Sequence, residues 1–212
     1  IDICKSIYYN AILYTKKGVL MMDTNYDVVV YIGRFQGFTK DGHYKVIQQA
    51  KKYGRNVVLG IGSVNQPRSV KNPFTYFERC QMIREALDYD TSVLFRPIRD
   101  LKDDTDWVIE VKHEIAKACE TIGVPYEYAK IALIGMDKDE SSYYLKYFPF
   151  WDFIEYEKPE SIVSATDARN ILFQGMEKIE ELENIVHDTT VKFFNKFKES
   201  EHYFSLVKDY NK

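Results

Sequence analysis

An α/β fold, with a doubly wound, mostly parallel five-stranded sheet and a C-terminal helical extension, is what this chain of 212 residues predicts. Two observations carry that expectation. Five short apolar runs alternate with segments of helical periodicity, and most of the runs are continuously apolar, as strands buried on both faces are. From Ile179 onward the pattern changes to charged, helix-forming sequence with few strand formers.

The runs are YDVVVYIG at Tyr26–Gly33, NVVLGIGS at Asn56–Ser63, SVLFRPI at Ser92–Ile98, KIALIG at Lys130–Gly135 and WDFIEY at Trp151–Tyr156. Between them, Gly42–Tyr53, Thr75–Leu87, Thr105–Ile122 and Ser141–Tyr147 read as helices. Thr75 with Glu78 three residues on has the pattern of a capping box. Gly123, with Pro125 just beyond, stands where the third helix should stop. Strands alternating with helices imply right-handed crossovers and a ligand site at the carboxyl ends of the strands. In Ile179–Lys212 the residues Phe193, Phe194, Phe197, Phe204 and Leu206 form an apolar face expected to fold back on the domain. The expected divisions are a leader at 1–21, the main domain at 22–178 and the extension at 179–212.

A net charge of −3 and a pI near 5.9 exclude a general binder of nucleic acid or anionic membrane, so any anionic ligand must meet a local cluster of cations. Cys4, Cys80 and Cys119 are widely spaced and contain no C-x-x-C, which points to neither a disulfide framework nor a zinc site and fits a reducing, cytoplasmic setting. The apolar patch within the first 21 residues is too short and interrupted for a membrane span. Met21-Met22 reads as a start with upstream sequence before it; a native helix packed on the domain is the alternative.

Two stretches carry the chemistry. GRFQGFTKDGH, Gly33 to His43, follows the first strand directly, so a small-residue loop and a helix start bring backbone N–H groups and cations to one place suited to phosphate. VSATDAR, Val163 to Arg169, sets small hydroxyl residues before a helix and an arginine about one turn into it. Either alone reads as ordinary turn and cap chemistry; together they are two phosphate-suited elements at strand ends of one sheet. Neither a Walker A pattern nor a complete dinucleotide fingerprint is present, since Gly60-Ile61-Gly62 lacks its third glycine.

GRFQ…GH followed by VSATDAR resembles the nucleotidylyltransferase superfamily, with its H/T-x-G-H and I-S-S-T-x-x-R signatures and Rossmann-like fold. Lys71-Asn72-Pro73-Phe74-Thr75 with Glu78-Arg79, then Asp104-Thr105-Asp106-Trp107-Val108, then Gly135–Leu145 leading to Phe148-Pro149, narrow the resemblance. They are similar to nicotinamide mononucleotide (NMN) adenylyltransferases of the archaeal-like type, found fused to Nudix hydrolases in bacteria and phages. The similarity spans about residues 26–175.

The resemblance implies that NMN and ATP give NAD and pyrophosphate without a covalent enzyme intermediate. It implies an ATP site of Gly33, Arg34, Phe35, Gln36, His43, Ser164, Thr166 and Arg169, with His43 and Arg169 acting on the phosphates. An NMN site of Trp107, Asp104, Arg68 and Asn72 follows, with Trp107 stacking on the nicotinamide; a core tryptophan is the structural alternative. Mg²⁺ is expected with the triphosphate, with no protein cage. The expected partners are small-molecule nucleotides, with neither nucleic acid nor membrane, in a chain that stands alone, as a homo-oligomer, or beside a fused or separate Nudix domain.

Three departures from the family pattern stand out. The loop from Gly37 to His43 is one residue longer and has no first histidine, so Lys40 or Thr39 is expected to replace it, Lys40 by counting and Thr39 if the extra residue bulges. Ala165 stands where a serine is usual. The Nudix pattern is absent, and Phe197–Tyr210 resembles the linker preceding that domain. The alternatives left open are another phosphate acceptor (nicotinate mononucleotide or phosphopantetheine) and a non-catalytic nucleotide sensor.

Overall fold

The structure, a computed structural model, describes residues 25–135, 146–156, 164–174 and 179–212. Strands β1 (Tyr26–Gly33), β2 (Gly54–Ile61), β3 (Val93–Pro97), β4 (Ile131–Gly135) and β5 (Asp152–Glu155) form one sheet in the order β3-β2-β1-β4-β5. Every neighbouring pair is parallel. Each expected strand is present with its ends within two residues of the apolar run that announces it.

The centre of the sheet, β1, β2 and β4, is buried on both faces because those strands offer apolar side chains on both, whereas the edge strand β5 is largely exposed. In β1, Val29 and Tyr31 face α1 (Lys45–Tyr53) and α2 (Tyr76–Ala86), packing with Val46, Ile47 and Ile83, while Val28 and Val30 meet Val111 and Ile115 of α3 (Asp104–Thr121). Val28, Val29 and Val30 are fully buried. Each contributes about 1.5–3 kcal/mol of transfer free energy, so a charge at Val30 would unfold the sheet centre.

Helix starts follow their caps. The capping box of α2 forms as expected: Thr75 Oγ1 accepts from the Glu78 amide and the Glu78 carboxylate accepts from the Thr75 amide. Asp103 caps α3 by accepting from the amides of Thr105 and Asp106. The helix expected at Ser141–Tyr147 lies almost wholly outside the described residues, as does the 1–21 segment.

From β1 the chain crosses to β2 on one side, whereas β4 lies on the other, so the crossovers diverge at β1 and open a crevice beyond its carboxyl end. The Gly33–His43 loop occupies that position.

Beyond α4 (Ala165–Gln174), the extension forms α5 (Ile179–Ile185), α6 (Asp188–Phe197) and α7 (Glu201–Tyr210). It packs on the domain through Phe194 and Phe197 against Phe74 and through Leu206 in the same cluster. Phe204, expected on this face, is 57% exposed: Tyr203, Leu206, Val207 and Tyr210 define the buried stripe at helical spacing, and Phe204 lies off it. Among the described residues no helix is long and apolar enough to cross a membrane.

Candidate active site

After Gly33 the backbone turns sharply, with Phe35 at φ 51° and Gly37 at φ 95°, an angle closed to proline. The loop closes in a π turn at Lys40–Tyr44, in which the Tyr44 amide donates to Thr39 C=O at 3.0 Å and the Lys45 amide to Lys40 C=O. Thr39 thereby comes against His43. Its Oγ1 accepts from the His43 amide at 3.1 Å and lies 3.1 Å from His43 Nδ1, and its own amide donates to Nδ1 at 3.2 Å. An amide can only donate, so Nδ1 carries the lone pair and the ring proton of neutral His43 sits on Nε2. Gly42 permits the approach: a Cβ there would lie 2.6 Å from Thr39 Oγ1. The rings of Phe35, at 4.9 Å, and Phe38, parallel within 10° at 5.8 Å, hold the imidazole between them.

Three arginines meet beside this loop. Arg79, 1% exposed, donates through Nη1 to Arg34 C=O at 2.6 Å and Gly62 C=O at 2.7 Å, tying the loop after β1 to the loop after β2. Arg169, 5% exposed, donates through Nη1 to Gln36 C=O at 3.0 Å and through Nη2 to Thr166 Oγ1 at 2.9 Å. Burial pushes each of these guanidiniums down to about 10, and the charge of Arg34 adds to the effect on both. Arg34 itself has Nη1 buried with no hydrogen-bond partner among the described residues. Arg79 and Arg169 remain cationic at neutral pH, so with the Arg34 guanidinium beside them the crevice holds crowded positive charge that a polyanion relieves. Among the described residues no group of three His, Cys, Asp or Glu side chains is placed to hold a metal ion, and the donors gathered here suit phosphate oxygens.

Residues 30–171 match the cytidylyltransferase-like family. The chain belongs to that family. Among similar proteins, the nicotinamide/nicotinic acid mononucleotide adenylyltransferase of Acinetobacter baylyi is 36% identical over 187 residues, covering 87% of this chain and 94% of the relative. The nicotinamide-nucleotide adenylyltransferase of Halobacterium salinarum is 42% identical over 83 residues, covering 39% of this chain and 46% of the relative. A crystal structure of a bifunctional NMN adenylyltransferase/ADP ribose pyrophosphatase from Francisella tularensis superposes with a TM-score of 0.76 at 30% identity, over 88% of this chain and 54% of that one. A second, in complex with AMP and a manganese ion, gives 0.74 at 30% identity, over 88% of this chain and 53% of that one. The chain therefore spans about half the length of the Halobacterium and Francisella proteins and nearly all of the Acinetobacter one.

In this cytidylyltransferase-like chain the expected site residues do not all lie together. Arg34, His43, Thr39, Thr166 and Arg169 gather around the loop, with Gly33 and Phe35 beneath. Ser164, at the exposed start of α4, has its amide and hydroxyl on the Asp167 carboxylate, at 3.0 and 2.7 Å. The side chains of three others are committed elsewhere. Lys40 turns to the extension, pairing with Asp188 and donating to Glu183 C=O, both at 2.9 Å. The buried amide of Gln36 must be satisfied and pairs with the backbone of Phe74, leaving its own C=O to hold Arg169. Arg68 forms a bidentate pair with Glu78, donates to Pro73 C=O and lies over the Phe197 ring.

Trp107 sits in the first turn of α3, half-buried and edge-on to Phe148, which stacks on Trp151. Tyr147 donates to Asp104 at 3.1 Å, one turn before it. Asn72 Oδ1 is buried without a hydrogen-bond partner among the described residues. Sequence reasoning missed Arg79. Its signal was positional: it shares the apolar stripe of α2 with Met82 and Ile83, where a charged side chain stays only if its donors are met.

Proposed function

We propose that this chain joins NMN and ATP to give NAD and pyrophosphate. An oxygen of the NMN 5′-phosphate attacks the α-phosphorus of ATP in line; the bond from that phosphorus to the bridging oxygen of the β-phosphate breaks, and pyrophosphate leaves with the negative charge. Positioning and charge stabilisation suffice for such a transfer, and no enzyme nucleophile is needed.

The observation that carries the reading is that one loop at the switch point of the sheet carries Arg34 and the Nε2–H tautomer of His43 and is bonded by Arg169, in a chain 36% identical to the Acinetobacter enzyme over 94% of that protein's length. In this reading His43 donates through Nε2 to the phosphates and the two arginines stabilise the charge that builds on departing pyrophosphate. Thr166 and Ser164 border the β- and γ-phosphates at the amino end of α4. Mg²⁺ enters with the triphosphate as part of the substrate, held by phosphate oxygens. Trp107 stacks on the nicotinamide ring, with Asp104 and Asn72 near its ribose and amide.

Initial rates of pyrophosphate release from ATP test this against a panel of acceptors. NMN is expected to support turnover, and nicotinate mononucleotide measures the tolerance for a carboxylate in place of the amide. Turnover with phosphopantetheine but not NMN would replace the acceptor, and nucleotide binding without turnover would make the chain a sensor.

A further inference from the structure

The extension reaches the phosphate loop at its most sensitive point. Phe38 C=O accepts two hydrogen bonds from the start of α6, from the His187 amide at 2.9 Å and from Thr190 Oγ1 at 3.2 Å. Thr39 forms an isolated antiparallel bridge with Val186. Lys40 is anchored to Asp188 and Glu183 in the same turn. Thr190 is fully buried, so its hydroxyl must be satisfied internally.

These contacts fall on two of the residues that hold the imidazole, Phe38 and Thr39. The Phe38 ring lies parallel to His43, and the Thr39 amide and hydroxyl set the His43 tautomer. A buried donor from α6 thus fixes the peptide joining the residue stacked on His43 to the residue bonded to it. We propose that Thr190 is a positioning residue for catalysis: through Phe38 C=O it holds the π turn in the register that presents His43, which makes the extension part of the catalytic unit. The inference rests on the functional reading above for the role of His43.

Thr190→Val keeps the shape and removes the donor, while Phe38 C=O keeps the His187 amide. Turnover should fall about tenfold with KM for ATP and NMN within about twofold of wild type, and Thr190→Ser should restore it to within about twofold. Imidazole ¹⁵N spectra should show the single Nε2–H tautomer of His43 giving way to an averaged signal in Thr190→Val alone. Wild-type kcat in folded Thr190→Val, or a loss that serine does not restore, overturns the inference. If the valine variant fails to fold, Asp188→Asn decides. Its carboxylate is exposed, and weakening the hold on Lys40 should lower kcat about twofold, no more than Lys40→Ala does; an unchanged kcat overturns the inference. His43→Ala, assayed alongside, separates the two levels: near-normal turnover there sinks the functional reading, whereas turnover lost there but kept in Thr190→Val sinks only the positioning role.

Discussion

Thr39 stands four residues before His43, yet its amide N and Oγ1 lie 3.2 and 3.1 Å from the His43 Nδ1. The π turn at Lys40–Tyr44, for which Thr39 is the N-cap, brings the amide and hydroxyl of Thr39 to the ring four residues on. Thr39 therefore stands beside His43 while Lys40 is turned to the extension, and we propose that Thr39 takes the place of the missing motif histidine.

Thr39→Val should lower kcat about tenfold and Lys40→Ala less than about threefold, which is roughly 1.4 against 0.6 kcal/mol in the barrier. Gly42→Ala should resemble Thr39→Val, because its Cβ would lie 2.6 Å from Thr39 Oγ1 and force the two apart. Steady-state kinetics on the three variants decide it. A larger loss in Lys40→Ala than in Thr39→Val would reverse the assignment.

Arg169→Ala should lower kcat about 10²–10³-fold, the usual cost of losing one preorganised donor to developing charge. Because Arg34, Arg79 and Arg169 crowd their charges, tripolyphosphate without NMN should raise the melting temperature of the wild-type chain, by the equivalent of about 2.7 kcal/mol at a hundred times its Kd. In Arg34→Ala the rise should shrink sharply. An equal rise in both proteins would place the anion elsewhere.

Much of this was legible in the sequence. β1, β2 and β4 fell where the apolar runs lie because both faces of the sheet are covered there, and Thr75 with Glu78 formed the cap its spacing implied. The direction of Lys40 was not legible, since it depends on Asp188 and Glu183, more than 140 residues away in sequence. The resemblance implied Gln36 in the ATP site and Arg68 in the NMN site; their side chains are bonded to Phe74 and Glu78, partners a linear reading does not place. Arg79 entered the sequence reading only within a motif and with no role, because its burial and its bonds to Arg34 C=O and Gly62 C=O depend on two loops distant in sequence.

Trp107→Ala should raise KM for NMN with a smaller effect on ATP and kcat, as loss of stacking shared by ground and transition states does. Trp107→Phe should recover part of the affinity. A variant that unfolds instead would assign Trp107 to the cluster with Phe148 and Trp151.

His187 links stability to pH. Burial holds its imidazole below the ordinary value near 6.5, with the charge of Lys40 adding and Asp188 opposing. As pH falls below about 6.5 the unfolded chain takes up the proton first, so stability present above that value is lost as pH drops toward the folded-state value. Its Nδ1 also accepts from the Thr189 amide at 3.4 Å to cap α6, a role a protonated ring cannot fill. Urea midpoints at pH 7.5 and 5.5 should differ less in His187→Asn, which caps without titrating. An unchanged difference would remove His187 from the linkage.

The most direct test is ³¹P NMR of the purified chain with ATP, NMN and Mg²⁺. The NAD pyrophosphate resonances and free pyrophosphate should grow together in equal amounts as ATP declines, and His43→Ala should slow both at least a hundredfold while remaining folded. ATP unchanged beside the folded wild-type chain, or His43→Ala turning over at the wild-type rate, would contradict adenylyl transfer at the site built on Arg34, His43 and Arg169.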